Sequence, residues 1–118
     1  MNLKSLLAKP FAHYIYNKVR KSAFNAVEDQ EALLKSLISA AANTDFGKDH
    51  QFKNIKEYKQ FTQAVPIRDY EQLKPYIEKI KEGKHNVLWK GKPAYFAKTS
   101  GTTSGVKYIP ITKESIPN

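Results

Sequence analysis

Seven consecutive small residues, Thr99-Ser100-Gly101-Thr102-Thr103-Ser104-Gly105, constrain this chain more than any other stretch. Five carry a hydroxyl and two are glycine. Strand-preferring residues flank the run on both sides, Tyr95-Phe96-Ala97-Lys98 before it and Tyr108-Ile109-Pro110-Ile111 after it. The pattern predicts a β-hairpin with strands at about Ala94 to Lys98 and Lys107 to Ile111. A Gly/Ser/Thr run in that place can be a plain flexible connection. Two details favour a built site. Lys107 puts a cation at the far end of the loop, and Thr99 to Thr103 form an ordered string rather than a random mix. Glycines let successive N–H groups turn toward one point, and hydroxyls add donors without bulk. Such a nest suits an anion, and phosphate is the common one.

The loop is not a Walker A loop. That motif needs four residues between its glycines and then Gly-Lys-Ser/Thr. Here three residues separate Gly101 from Gly105, and Lys107 is followed by Tyr108. The segment after the loop reads as a strand, so no helix N-terminus faces the anion.

The chain before the hairpin reads as helical. Leu3, Leu7, Phe11, Tyr14, Ile15 and Val19 recur at helical spacing, which predicts a helix over 2–24 that Pro10 kinks or splits. Its cations Lys4, Lys9, Lys18, Arg20 and Lys21 meet no acid before Glu28. A basic helix of this kind can lie on an anionic membrane, but docking of its apolar stripe on the rest of the fold is the preferred reading. Asn25 and Glu28 resemble a capping pair for a second helix that buries Leu34, Leu37, Ile38 and Ala41, and Asn43 to Gly47 ends it. Asp45, Asp49 and His50 are read as structural. Asn54 to Glu57 repeats the cap pattern and predicts a short helix burying Tyr58 and Phe61. Val65-Pro66-Ile67 is extended. Asp69 then caps a helix with Tyr70, Leu73, Ile77 and Ile80 on one face. Pro75 is expected to divide that helix, and Gly83 to close it. His85 to Trp89 reads as extended.

With 118 residues there is room for one domain at most. There are no cysteines, and His13, His50 and His85 lack ligand spacing, so no metal site is expected. No apolar run approaches a membrane span, and Lys9-Pro10 cuts short any signal-peptide core. The expected compartment is the cytoplasm. The net charge of +9 invites a nucleic-acid partner. The charges are spread along the chain, however, and only two of them are arginine. A solvated basic surface with no nucleic-acid partner is the expectation.

The loop and the strings upstream of it resemble a known family. Thr99-Ser100-Gly101-Thr102-Thr103, with Lys107 four residues on, is similar to the signature loop of the acyl-adenylate-forming superfamily. The ending Ser104-Gly105-Val106-Lys107-Tyr108-Ile109-Pro110 departs from the commonest version, in which Gly-x-Pro-Lys-Gly follows the threonines. It resembles the bacterial form of the acyl-acid amido synthetases named after the auxin-responsive Gretchen Hagen proteins. Thr44 to His50, Val65 to Tyr70, Leu73 to Ile77 and Gly83 look like that family too, so the resemblance runs from about Val27 to Pro117.

The resemblance implies an α+β fragment, with N-terminal helices over 1–94 and a strand-loop-strand unit over 95–118. Both would belong to one larger N-terminal domain of an α/β adenylate-forming enzyme. It implies ATP and magnesium, a small carboxylic acid and an amino acid as the reacting partners. Thr99, Ser100, Gly101, Thr102, Thr103, Ser104, Gly105 and Lys107 would hold the ATP phosphates. Family members are several times longer than this chain, so a fragment, inactive alone, is expected. An acyl-CoA ligase of the same superfamily and a non-enzymatic basic binding module are the alternatives. Acid and acceptor specificity and oligomeric state are not legible in these residues.

Overall fold

Local capping chemistry sets both ends of the helix that carries the hairpin. Asp69 Oδ1 accepts from the Gln72 N–H at 2.9 Å, and Gln72 Oε1 accepts from the Asp69 N–H at 3.0 Å. This reciprocal capping box starts the helix Tyr70–Lys81. At its far end Gly83 takes φ +94°, where a side chain would be strained. The Gly83 N–H donates to the Ile80 carbonyl and the Lys84 N–H to the Lys79 carbonyl, both at 3.0 Å. Pro75 does not divide the helix, contrary to expectation. It removes the one hydrogen bond an N–H at that position would make to the Glu71 carbonyl, while Ile77 and Ile80 bury the half that follows.

The structure, a computed structural model, describes residues 3–100 and 105–116. In chain order the helices are α1 (Leu3–Phe24), α2 (Ala26–Ala41), α3 (Asp45–Asp49), α4 (Tyr58–Ala64) and α5 (Tyr70–Lys81). The strands are β1 (Tyr95–Thr99) and β2 (Lys107–Ile111), with 3-10 turns at Phe52–Asn54 and Lys113–Ser115. An α+β architecture with helices followed by a hairpin is therefore present. The chain divides into two compact units, 1–34 and 35–118.

In the first unit α1 runs through Pro10 without a break. Of its expected buried stripe, Phe11, Tyr14 and Val19 are each more than 60% exposed. Asn25 marks a one-residue interruption, bridged by the Asp29 N–H donating to the Asn25 carbonyl at 2.8 Å.

In the second unit the core is Ile38, Ala41, Phe52, Ile77, Ile80 and Val87, with Thr44 and His50 as buried polar members. Leu37, expected inside, is exposed. Thr44 does not end a helix; it starts α3. Its hydroxyl accepts from the Gly47 N–H at 2.9 Å and donates to the Ala41 carbonyl at 2.7 Å. One side chain thus satisfies the last turn of α2 and the first turn of α3. Two further α3 donors go to the segment read as extended, Asp45 N–H to the Asn86 carbonyl and Phe46 N–H to the Val87 carbonyl. That segment is a series of bends, set by Asn86 at φ +54° and by its side-chain oxygen accepting from the Gly91 N–H at 2.7 Å. Thr44→Val keeps the shape and removes the hydroxyl. It leaves the buried Gly47 N–H without its acceptor, while the Ala41 carbonyl keeps the Thr44 N–H at 3.0 Å, so a loss of about 1–2 kcal/mol in urea unfolding is expected.

The start of α4 also differs from expectation. Glu57 is its N-cap residue, and the Lys56 N–H donates to Gln60 Oε1 at 2.7 Å. Tyr58 is 66% exposed, while Phe61 is half-buried with its ring 6.2 Å from Phe52.

β1 and β2 pair antiparallel in the register Tyr95↔Ile111, Phe96↔Pro110, Ala97↔Ile109, Lys98↔Tyr108 and Thr99↔Lys107. The Tyr108 N–H donates away from β1, to a side chain of α5. Donors on a strand alternate, so the position of Pro110, two residues on, also faces away from β1. A residue with no N–H costs the ladder nothing there.

Candidate functional site

The hairpin register brings the two ends of the small-residue loop together. Thr99 is the last residue of β1 and Lys107 the first of β2, and they are direct cross-strand partners. Their side chains therefore share one face of the hairpin. Ser100 is exposed at the end of β1. Gly105 takes φ +79°, with open space where a Cβ would stand. Gly101, Thr102, Thr103 and Ser104 lie outside the described residues.

Helix α5 fixes the exit of this loop. The Tyr70 hydroxyl accepts from the Tyr108 N–H at 2.8 Å and lies 3.5 Å from the Tyr108 carbonyl oxygen. The Lys107 ammonium sits 5.7 Å from the centroid of the Tyr70 ring. Tyr108 is held on two further sides, by the edge of the Phe96 ring and by the Lys81 ammonium 4.8 Å from its own ring centroid. A hydrogen bond to Glu78 raises the Lys81 pKa and keeps it charged. Lys107 is half-buried, and among the described residues no carboxylate lies within ion-pair distance of it. A half-buried cation at the mouth of a loop, with aromatic rather than acidic company, leaves its charge for an anionic ligand. Sequence reasoning missed the part played by Tyr70. It stands 38 residues from Tyr108 and reads as one more residue of an apolar helix face.

The other polar groups are absorbed in packing. His50 is 6% exposed, its Nδ1 lies 2.7 Å from the Phe46 carbonyl oxygen, and its ring stacks at 4.1 Å on Phe46. The Tyr76 hydroxyl donates to Asp49 at 2.6 Å, and burial first, then Asp49, pushes the Tyr76 pKa up. Among the described residues no group of three or more His, Cys, Asp or Glu side chains can hold a metal ion.

Asp45 accepts from Lys84 at 2.6 Å, with Lys79 at 3.8 Å, and the Lys84 hydrogen bond holds its carboxyl below the usual range. A carboxyl depressed in the folded state stabilises the fold above its unfolded value of about 4. That contribution fades as pH falls from there through the lower folded value. Asp45→Asn is therefore expected to flatten the fall in stability below about pH 4. Thermal unfolding of both proteins across that range measures it. Equal slopes would show the pair to be inert.

The GH3 family N-terminal domain matches residues 15–118. Indole-3-acetic acid-amido synthetase GH3.15 of Arabidopsis thaliana is 33% identical over 95 residues, covering 78% of this chain and 16% of that protein. Indole-3-acetic acid-amido synthetase GH3.2 of the same species is 30% identical over 89 residues, 74% of this chain and 16% of its own length. The GH3.4 protein is 28% identical over 126 aligned positions, 98% of this chain and 21% of that protein. The chain thus spans about a fifth or less of the length of these relatives. Among the described residues no helix is long and apolar enough to cross a membrane.

Proposed function

This chain belongs to the GH3 family, and we propose that it supplies the loop side of the nucleotide site in an ATP-dependent acyl-acid amido synthetase. The ending Ser104-Gly105-Val106-Lys107-Tyr108 favours the bacterial form of that family. The names of the relatives support acid and amino-acid substrates. The observation that carries the phosphate assignment is the placement of Lys107. It is a half-buried cation with no carboxylate partner among the described residues, directly across the hairpin from Thr99.

In the first step a carboxylate oxygen of the acid attacks the α-phosphorus of ATP. The bond to the bridging oxygen breaks, giving acyl-adenylate and pyrophosphate. In the second an amino-acid amine attacks the acyl carbonyl, AMP leaves, and the amine gives up a proton. Charge grows on the departing pyrophosphate in the first step. Lys107, the N–H groups about Gly101 and Gly105, and the hydroxyls of Ser100, Thr102 and Thr103 are the donors assigned to it. Magnesium is assigned to the triphosphate itself. The described residues offer no carboxylate cluster to hold it, and no step here depends on it.

ATP–pyrophosphate exchange by the whole enzyme carrying this chain tests the assignment. Exchange should depend on a carboxylic acid and fall when Lys107 is replaced. Exchange indifferent to Lys107 would remove the phosphate role. AMP release driven by CoA and not by amino acids would point to the CoA ligase instead. Exchange by the 118-residue chain alone would contradict the expectation that it is one wall of a larger site.

A further inference from the structure

We propose that Tyr70 is the positioning residue for Lys107: its hydroxyl fixes the backbone of the loop exit and its ring fixes the lysine's charge. The proposal rests on the assignment of Lys107 to the ATP phosphates and adds a residue from α5 to that site.

Three contacts converge on one phenol. The hydroxyl accepts from the Tyr108 N–H at 2.8 Å, on the peptide that joins Lys107 to Tyr108. The same hydroxyl lies 3.5 Å from the Tyr108 carbonyl oxygen, so both edge groups of this residue meet one partner. The ring lies 5.7 Å from the Lys107 ammonium. A lysine on a four-carbon stem has many rotamers, and restricting them before the nucleotide arrives lowers the cost of binding. An aromatic face does this without neutralising the charge, as a carboxylate would. Tyr70 is the first residue of α5, directly after the Asp69–Gln72 capping box, so the phenol projects from a capped helix end.

Aspartate or glutamate at position 70 would pair with Lys107 and compete with phosphate. Phenylalanine keeps the ring and loses only the hydroxyl. Tyr70→Phe is therefore the informative variant. It separates the backbone anchor from the cation–π contact and leaves the packing shape unchanged.

The test uses the whole enzyme carrying this chain, as wild type, Tyr70→Phe, Lys107→Ala and the double variant, with ATP–pyrophosphate exchange as the readout. Tyr70→Phe should raise the KM for pyrophosphate about fivefold, leave the KM for the acid unchanged, and add nothing in the Lys107→Ala background. In the 118-residue chain, hydrogen exchange at the Tyr108 amide should speed up at least about tenfold in Tyr70→Phe, while the Ala97 amide in the ladder is unaffected. A merely structural role would shift both KM values with the melting temperature. Losses that multiply in the double variant, or an unchanged pyrophosphate KM in Tyr70→Phe beside an impaired Lys107→Ala, would overturn the proposal and leave the phosphate assignment standing. Wild-type exchange in Lys107→Ala would overturn both.

Discussion

Gly47→Ala is expected to destabilise residues 35–118 by at least about 3 kcal/mol, the upper end of what overpacking costs. A Cβ at Gly47 would stand 2.1 Å from the Ala41 carbonyl oxygen, 2.9 Å from its carbon and 3.1 Å from the Ala42 Cα. All three are backbone atoms, so no side-chain rotation relieves the overlap. Either the end of α2 or the whole of α3 must move. Moving α2 breaks the 2.7 Å bond from the Thr44 hydroxyl to Ala41. Moving α3 breaks the bonds from Asp45 and Phe46 to the Asn86 and Val87 carbonyls, and Val87 is 1% exposed in the core. A total stability of 5–15 kcal/mol is typical of a domain, so the loss takes a large share of it. Gly105→Ala is the contrast. It has open space and only its positive φ to overcome, at about 1–2 kcal/mol. Urea midpoints of the two variants measure the difference. A Gly47→Ala midpoint no lower than that of Gly105→Ala would show that α2 and α3 separate freely.

The position of Gly47 also shows what the sequence can and cannot reveal. Features decided within four or five residues were legible: the Asp69 cap, the Gly83 closure and both strands beside the loop. The hairpin strands came out within one residue of the expected bounds, because aromatic and β-branched residues flank an obvious break. Features decided across the chain were not. Thr44 to Gly47 looked like the end of α2, because nothing nearby says that Asn86 and Val87 supply acceptors for a new helix. Pro10 and Pro75 looked like breaks, because a proline's local cost is visible and the packing that tolerates it is not. The site followed the same rule. Lys107 was legible as the cation that ends the loop, and the family resemblance supplied its role. Tyr70 carries no local mark of its link to Tyr108.

Lys107→Ala is expected to slow adenylation by roughly 10- to 100-fold in the whole enzyme, for every acid by a similar factor. A hydrogen bond to a charged group contributes about 1.5–3 kcal/mol, and each 1.36 kcal/mol is about tenfold in rate. The loss falls on the transition state, where charge accumulates on pyrophosphate, more than on bound ATP. The rate constant should therefore drop more than ATP affinity does. Thr102→Ala, which removes one of the loop hydroxyls given the same role by the family resemblance, should act in the same direction. Ranking among acids should stay as in wild type, since the assigned ligand is the phosphate chain and not the acid's side chain. Folding offers little escape from this reading. Lys107 makes no ion pair among the described residues, so its loss should change the melting temperature little. Exchange rate per folded molecule, measured across several acids, decides the matter. A changed preference among acids without a general loss would move Lys107 from the phosphate to the acid. A loss that tracks unfolding would reduce the loop to a connection between two strands.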